Sequence, residues 1–284
     1  MNNALSVASI VIKELYRRKD FYVLFVLTAI ITLLMGSLHF FNDDRIVRYL
    51  KEICLLLIWI SALAIAVGTS ARQIPAEREN RTIFPLLAKP ITRGQLIAGK
   101  FLGCWLACGL ALIVFYFFFG VISVSREHQW AAASFFQALW LHWWMLGVVV
   151  AMTLLGSVVF AAPSSNGTIC LLIILSILLL GRHLNKVAVQ LAEPMSGVVS
   201  AVYFAVPHLE LFDVRDLVVH NWDPINWLIC VGATLYAAAY AIFFLFATWL
   251  VFRRQLVLRW QPGCSPGTRV GRAAALSPIA CWAS

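Results

Sequence analysis

The chain has 284 residues, 62% of them hydrophobic and only 12% charged, with a formal net charge of +9. That charged fraction is about half the average for soluble proteins, and it leaves more apolar surface than a soluble core can hide. A soluble enzyme or a soluble binding domain is excluded, and lipid is the solvent that the composition calls for.

In chain order, residues 1–20 come first. Leu5, Ala8, Ile12 and Leu15 repeat there at helical spacing, while Lys13 and Arg17 lie on another face. This reads as an amphipathic helix in the inner membrane interface, with Arg17, Arg18 and Lys19 at the lipid phosphates. A plain solvated helix is the alternative.

A helix needs about 20 mostly apolar residues to cross the hydrocarbon core. Residues 21–41, 53–71, 101–125, 139–162, 166–181 and 226–252 meet or approach that length, and none carries Asp, Glu, Lys or Arg in its interior. The fifth is the shortest, and Arg182 beside it can snorkel. Barrel strands would be shorter and would alternate polar with apolar residues. Residues 21–41 run too long for the apolar core of a signal peptide and end in His39-Phe40-Phe41-Asn42-Asp43-Asp44, without a small-residue cleavage site. The expected fold is all-α and membrane-integral: a six-span domain over 21–255, with the interfacial helix before it.

Two connections are long. Residues 72–100 join the second and third spans. Residues 182–224 precede the last span, remain rich in apolar residues and are punctuated by Pro194, Pro207 and Pro224, which predicts short re-entrant or interfacial helices. Residues 256–284, with Pro262-Gly263, Pro266-Gly267 and scattered arginines, read as a disordered basic tail.

Charge sets the orientation. With the N-terminus inside, fifteen of the 22 Lys and Arg fall on cytoplasmic segments, and nine of the thirteen acids fall outside. This is the positive-inside bias, with both termini cytoplasmic and the protein in the plasma (inner) membrane. The positive charge thus belongs to the membrane face, and nucleic acid is not an expected partner.

Motifs of chemistry are sparse. Cys54, Cys104, Cys108, Cys170 and Cys230 lie within predicted spans and read as packing residues. All six histidines fall on the predicted external side, and no two have ligand spacing, so no metal is expected. Residues 94–101, GQLIAGKF, approach a phosphate-binding loop. Phe101 stands where a hydroxyl should hold magnesium, and no strand precedes it. Spans without ionisable centres offer nothing for proton or ion coupling, so energy for uphill movement must arrive from outside the membrane domain.

The connection at 72–100 is the informative one. Arg72, Glu77, Arg78, Glu79 and Arg81 stand beside the apolar run Ile83-Phe84-Pro85-Leu86-Leu87, a pattern suited to docking in another protein's groove. A solvated positive-inside loop is the plainer reading. The order Glu77, Glu79, Thr82, Ile83, Leu86, Leu87, Pro90, Arg93, Gly99, Lys100 resembles the signature of the type-2 membrane-spanning family of ABC exporter permeases. Arg81-Thr82-Ile83 followed by Leu86-Leu87-Ala88-Lys89-Pro90 is similar to the branch grouped with nitrous oxide reductase maturation. The six spans, the N-terminal helix, and Pro207, Phe212 and Asp213 in the external segment extend the likeness over roughly residues 1–255.

The resemblance implies a permease subunit that pairs with a second permease subunit, identical or related. It would dock separate ABC ATPase subunits, which hold ATP and magnesium, and this chain would not be an enzyme. By position, the coupling segment is 72–93, with Arg72, Glu77, Arg78, Glu79, Arg81, Thr82, Ile83, Leu86, Leu87, Pro90 and Arg93 contributing. Two alternatives stand beside it. One is a non-transporting component that does mechanical work through the external segment. The other is a membrane-embedded enzyme using His208, Glu210, Asp213 and Asp216.

Overall fold

The computed structural model describes residues 6, 8–13, 26, 30, 44–79, 92–127, 132–160, 162–190, 196–197, 206–220 and 222–259. Among them there are helices and turns and no strand. We number the main helices α1 (Asp44–Ser70), α2 (Pro75–Glu79), α3 (Arg93–Glu127), α4 (Ala132–Val159), α5 (Pro163–Gln190), α6 (Arg215–Val219) and α7 (Trp227–Arg259), with a 3-10 turn at Leu209–Phe212.

Among the described residues, four helical stretches are long and apolar enough to cross a membrane: Lys51–Glu77, Gly94–Val121, Ala132–Val159 and Trp227–Arg254. Pro163–Leu179 is a shorter apolar helix at the position of the shortest expected span. The span expected at 21–41 lies outside the described residues apart from Val26 and Ile30, both helical and exposed. So does the tail from residue 260 onward, whereas residues 256–259 continue α7.

Local chemistry sets the helix starts. At α3 the Thr92 N–H donates to Gln95 Oε1 at 3.1 Å, and the Gln95 N–H donates to Thr92 Oγ1 at 3.3 Å. This reciprocal capping box satisfies two otherwise orphaned donors. It starts the helix eight residues before the predicted span at 101, so Lys100 belongs to the helix rather than to a loop. Pro163 opens α5, where a missing N–H costs nothing. Asn226 Oδ1 accepts the Leu228 N–H at 3.1 Å to cap α7.

α4 is the centre of the bundle. It touches α1, α3, α5, α6, the 3-10 turn and, most extensively, α7. Of its membrane-length window 67% is buried, against 17% for α7. A helix apolar all round is expected where neighbours enclose it. The large apolar side chains that α7 exposes, among them Leu228, Leu235, Ile242 and Phe243, suit lipid contact.

Two tryptophans and two glycines join α3 to α4. Trp105 Nε1 donates to the Trp143 carbonyl at 3.0 Å, Trp143 Nε1 donates to the Trp105 carbonyl at 3.3 Å, and the rings stack 4.7 Å apart. Each ring lies over a glycine of the opposite helix: Trp143 on Gly109 and Trp105 on Gly147. A Cβ at Gly147 would stand 3.0 Å from Trp105 Nε1. Close backbone approach through small residues is how helices associate where the hydrophobic effect cannot drive them.

The N-terminal helix also rests on a glycine. Ala8 and Val11 are buried and Lys13 is exposed. A Cβ at Gly103 of α3 would come within 2.7 Å of Val11 Cβ. Of the stripe expected to face the membrane interface, Ala8 is instead packed on α3 beside Val11 and Ile12 is half-buried, while Leu5 and Leu15 lie outside the described residues. The difference arises because an i, i+3 pair fits over the gap left by Gly103.

Candidate functional site

The site builds outward from the end of α1. After Ser70 the chain makes a turn over residues 71–74 and enters α2 at Pro75, again a proline in the first helical position. Ile74 is buried with Leu96 and Ile97 of α3, Val158 of α4 and Phe252 of α7. The turn is thus pegged into the bundle by an apolar side chain, and α2 projects from a fixed root.

Polar contacts hold the same turn from two sides. Lys100 Nζ reaches back from α3 to the Gln73 carbonyl and forms an ion pair with Glu77 Oε1 of α2 at 2.8 Å. Lys100 is 2% exposed and Glu77 25%. A buried ammonium is tolerated only where its charge is paired and its donors are satisfied. From α5, fully buried Asn166 donates to the Ala71 carbonyl at 3.3 Å and to the Thr153 carbonyl of α4 at 3.2 Å. The Cys170 thiol donates to Asn166 Oδ1 at 3.2 Å, which fixes the amide's orientation.

Beside this turn, α1 and α5 enclose an open cavity of about 650 Å³. Its walls include Val67, Gly68 and Arg72 on one side and Ser164, Gly167 and Thr168 on the other. Small and hydroxyl-bearing residues line it, in contrast to the bulky apolar surface of α7.

The structure distributes the sequence-derived residues as follows. Arg72 is exposed at the cavity mouth. The Glu77 side chain turns inward to Lys100. Arg78 and Glu79 lie on α2 and Arg93 opens α3, with side chains outside the described set. Arg81, Thr82, Ile83, Leu86, Leu87 and Pro90 lie outside the described residues. Gln73, Lys100 (as a buried partner) and Asn166 were not singled out by sequence reasoning. The available signal was a long polar side chain beside or inside an apolar run.

The external segment forms a second polar group. Pro207, Leu209 and Phe212 are buried, and the 3-10 turn packs on α4 and α5 while α6 packs on α1 and α4. His208 Nδ1 and Tyr236 Oη are 2.8 Å apart, and the His208 N–H donates to the same oxygen at 2.9 Å. Arg215 donates to both oxygens of Asp213, at 2.7 and 2.8 Å, and lies over the Trp59 ring of α1 at 5.1 Å. The Asp213 carboxylate raises the already high pKa of Arg215, so the guanidinium stays charged. Trp59 is eight residues past Lys51, about 12 Å along α1, so this segment reaches well below the helix ends. His208, Glu210, Asp213 and Asp216 do not converge on one pocket: His208 goes to Tyr236, Asp213 to Arg215, Glu210 stands against Gly181 of α5 with Oε2 buried and unbonded, and Asp216 is exposed. That arrangement gives no shared catalytic centre. Among the described residues no three His, Cys, Asp or Glu side chains are grouped to hold a metal ion.

No curated protein matches the chain in a sequence search. The model of a family described as ABC-2 family transporter protein matches residues 5–253, nearly the whole length. With its apolar helices in an all-helical, multi-pass arrangement, the chain belongs to the ABC-2 family of transporter membrane proteins.

Proposed function

We propose that this chain is the membrane subunit of an ATP-driven exporter and that α2 is the element that docks a separate ATPase. The observation that carries this is a short charged helix rooted in the bundle by Ile74, Lys100 and Asn166. A helix meant to receive force needs such a root, and a solvated loop does not. ATP and magnesium then belong to the partner. No Asp, Glu, Lys or Arg lies near the centre of a described span, which fits energy delivered from outside the bundle.

In this reading the α1–α5 face, with its small residues and cavity, meets a second permease subunit, while α7 faces lipid. The α2 end is cytoplasmic, as are both termini, and the protein resides in the plasma membrane. The segment around α6 enters from the opposite side as a re-entrant element.

The test is purification of the tagged chain from mild detergent, with mass spectrometry of what accompanies it. A stoichiometric ATPase is expected, and it should be lost when Arg78→Glu and Glu79→Lys are combined on α2. Repeated preparations without an ATPase would overturn the proposal.

A further inference from the structure

Three features compete for attention outside the docking helix itself: the cavity between α1 and α5, the Asp213–Arg215 group under Trp59, and the double grip on the turn at residues 71–74. The cavity belongs to the face already assigned to the second subunit. The Asp213–Arg215 pair is local and internally satisfied. The grip on the turn goes further, because its contacts come from elements far apart in sequence and meet on four consecutive residues.

A docking helix does work only if its displacement reaches the spans. Helix α2 has five residues, too few to be rigid on its own account, since isolated helices of that length are not stable. Its connection to the bundle must carry the load. The Ala71 carbonyl at the end of α1 has no partner further along the helix and is taken by Asn166 of α5. The Gln73 carbonyl is taken by Lys100 of α3, and the same ammonium holds Glu77 of α2. Asn166 also binds α4 through Thr153. A push on α2 therefore meets α3 and α5 through short polar contacts, rather than through a flexible strand of chain.

We propose that Lys100 and Asn166 are positioning residues that make the turn at 71–74 a rigid joint, so that nucleotide-driven displacement of α2 moves α3 and α5 with it. The inference rests on the reading of α2 as the ATPase-docking helix and names the parts through which that docking acts. Lys100 is used here as a structural cation, not as the lysine of a phosphate-binding loop.

The experiment uses the complex of this chain with its copurified ATPase in lipid nanodiscs. Hydrogen–deuterium exchange is followed with and without ATP plus orthovanadate. Wild type should show nucleotide-dependent changes in α2 and in the first turns of α3 and α5. Lys100→Met removes the charge with a side chain of similar length and leaves Glu77 within reach of solvent. It should retain the ATPase at wild-type stoichiometry and keep the response of α2. The response in α3 should fall about fivefold or more, the low end of ordinary site-to-site coupling. Lys100→Arg should restore most of it. Asn166→Ala should reduce the α5 response in the same way, which gives a second route if Lys100→Met accumulates poorly.

Undiminished nucleotide responses of α3 and α5 in both variants, with the ATPase bound, would overturn the joint and leave the docking assignment standing. Loss of the ATPase from both variants would mean that the two residues only maintain the docking surface, and would also overturn it. Absence of an ATPase from the wild-type preparation would remove the docking assignment, and the joint with it.

Discussion

An ion pair stands near each end of the helix bundle, and the two are built differently. Asp213 and Arg215 are two residues apart, and both are partly open to solvent, at 18% and 23%. Glu77 and Lys100 are 23 residues apart, and the cation is sealed at 2% exposure. The first pair shapes its own short segment and, through Trp59, leans that segment against α1. The second joins two elements that the chain itself connects only through a long excursion. Local pairs set local shape, whereas distant buried pairs decide which elements move together.

The sharpest way to break this comparison is to strand the buried charge. Glu77→Ala takes the Glu77 carboxylate away from a buried ammonium, and should cost about 3 kcal/mol of stability in detergent. Lys100→Met should cost much less, because Glu77 can hydrate, and the double variant should recover most of the loss. Equal costs for the two single variants in thermal unfolding would show that the lysine is not buried as described.

Asn166→Ala comes next, at about 2 kcal/mol, since it orphans hydrogen-bonding groups in a buried site. Cys170 and Gly156 lie against the same amide, so part of the loss is packing. Chemical denaturation of the purified chain would reveal a silent substitution, and silence here would place Asn166 outside the joint.

At the other end, Gly181→Ala tests the approach of the 3-10 turn to α5. A Cβ there would meet Glu210 Oε2 at 2.6 Å, and relief by shifting that carboxylate should cost about 1 kcal/mol, as mild overpacking does. Faster hydrogen exchange confined to residues 206–220 is the expected sign. Exchange that instead rises through α3 and α7 would mean that the segment supports the whole bundle.

Arg215→Met should have the smallest effect, below about 1 kcal/mol with the ion pair and the contact to Trp59 taken together, because the pair is partly exposed. The effect should shrink in high salt. A loss as large as that of Glu77→Ala would erase the contrast between the two ends.

Much of this architecture was legible in the residues. Runs of apolar side chains announced the helices, and the Ala8 stripe announced an N-terminal helix, though one read as lying in the membrane interface rather than packed on α3. Less legible was the direction in which a side chain turns. Glu77 reads as a docking residue because it sits among charges, but its carboxylate faces Lys100. Thr92 and Gln95 carry a capping signature that places Lys100 on a helix, yet nothing in their spacing tells that this lysine reaches Gln73. Trp105 and Trp143 look like ordinary apolar bulk, and only the opposing helix shows that each needs a glycine beneath it.

By itself the sequence determined the solvent, the helical class and the family, because these follow from composition, period and motif order, all properties of neighbours along the chain. Tertiary structure decided which polar groups are partners. Asn166 meets Ala71 across 95 residues, and Gln137 exchanges hydrogen bonds with Ile225 across 88. Such pairings depend on which helix faces come together, and in an apolar bundle an unpaired polar group is too costly to leave to chance.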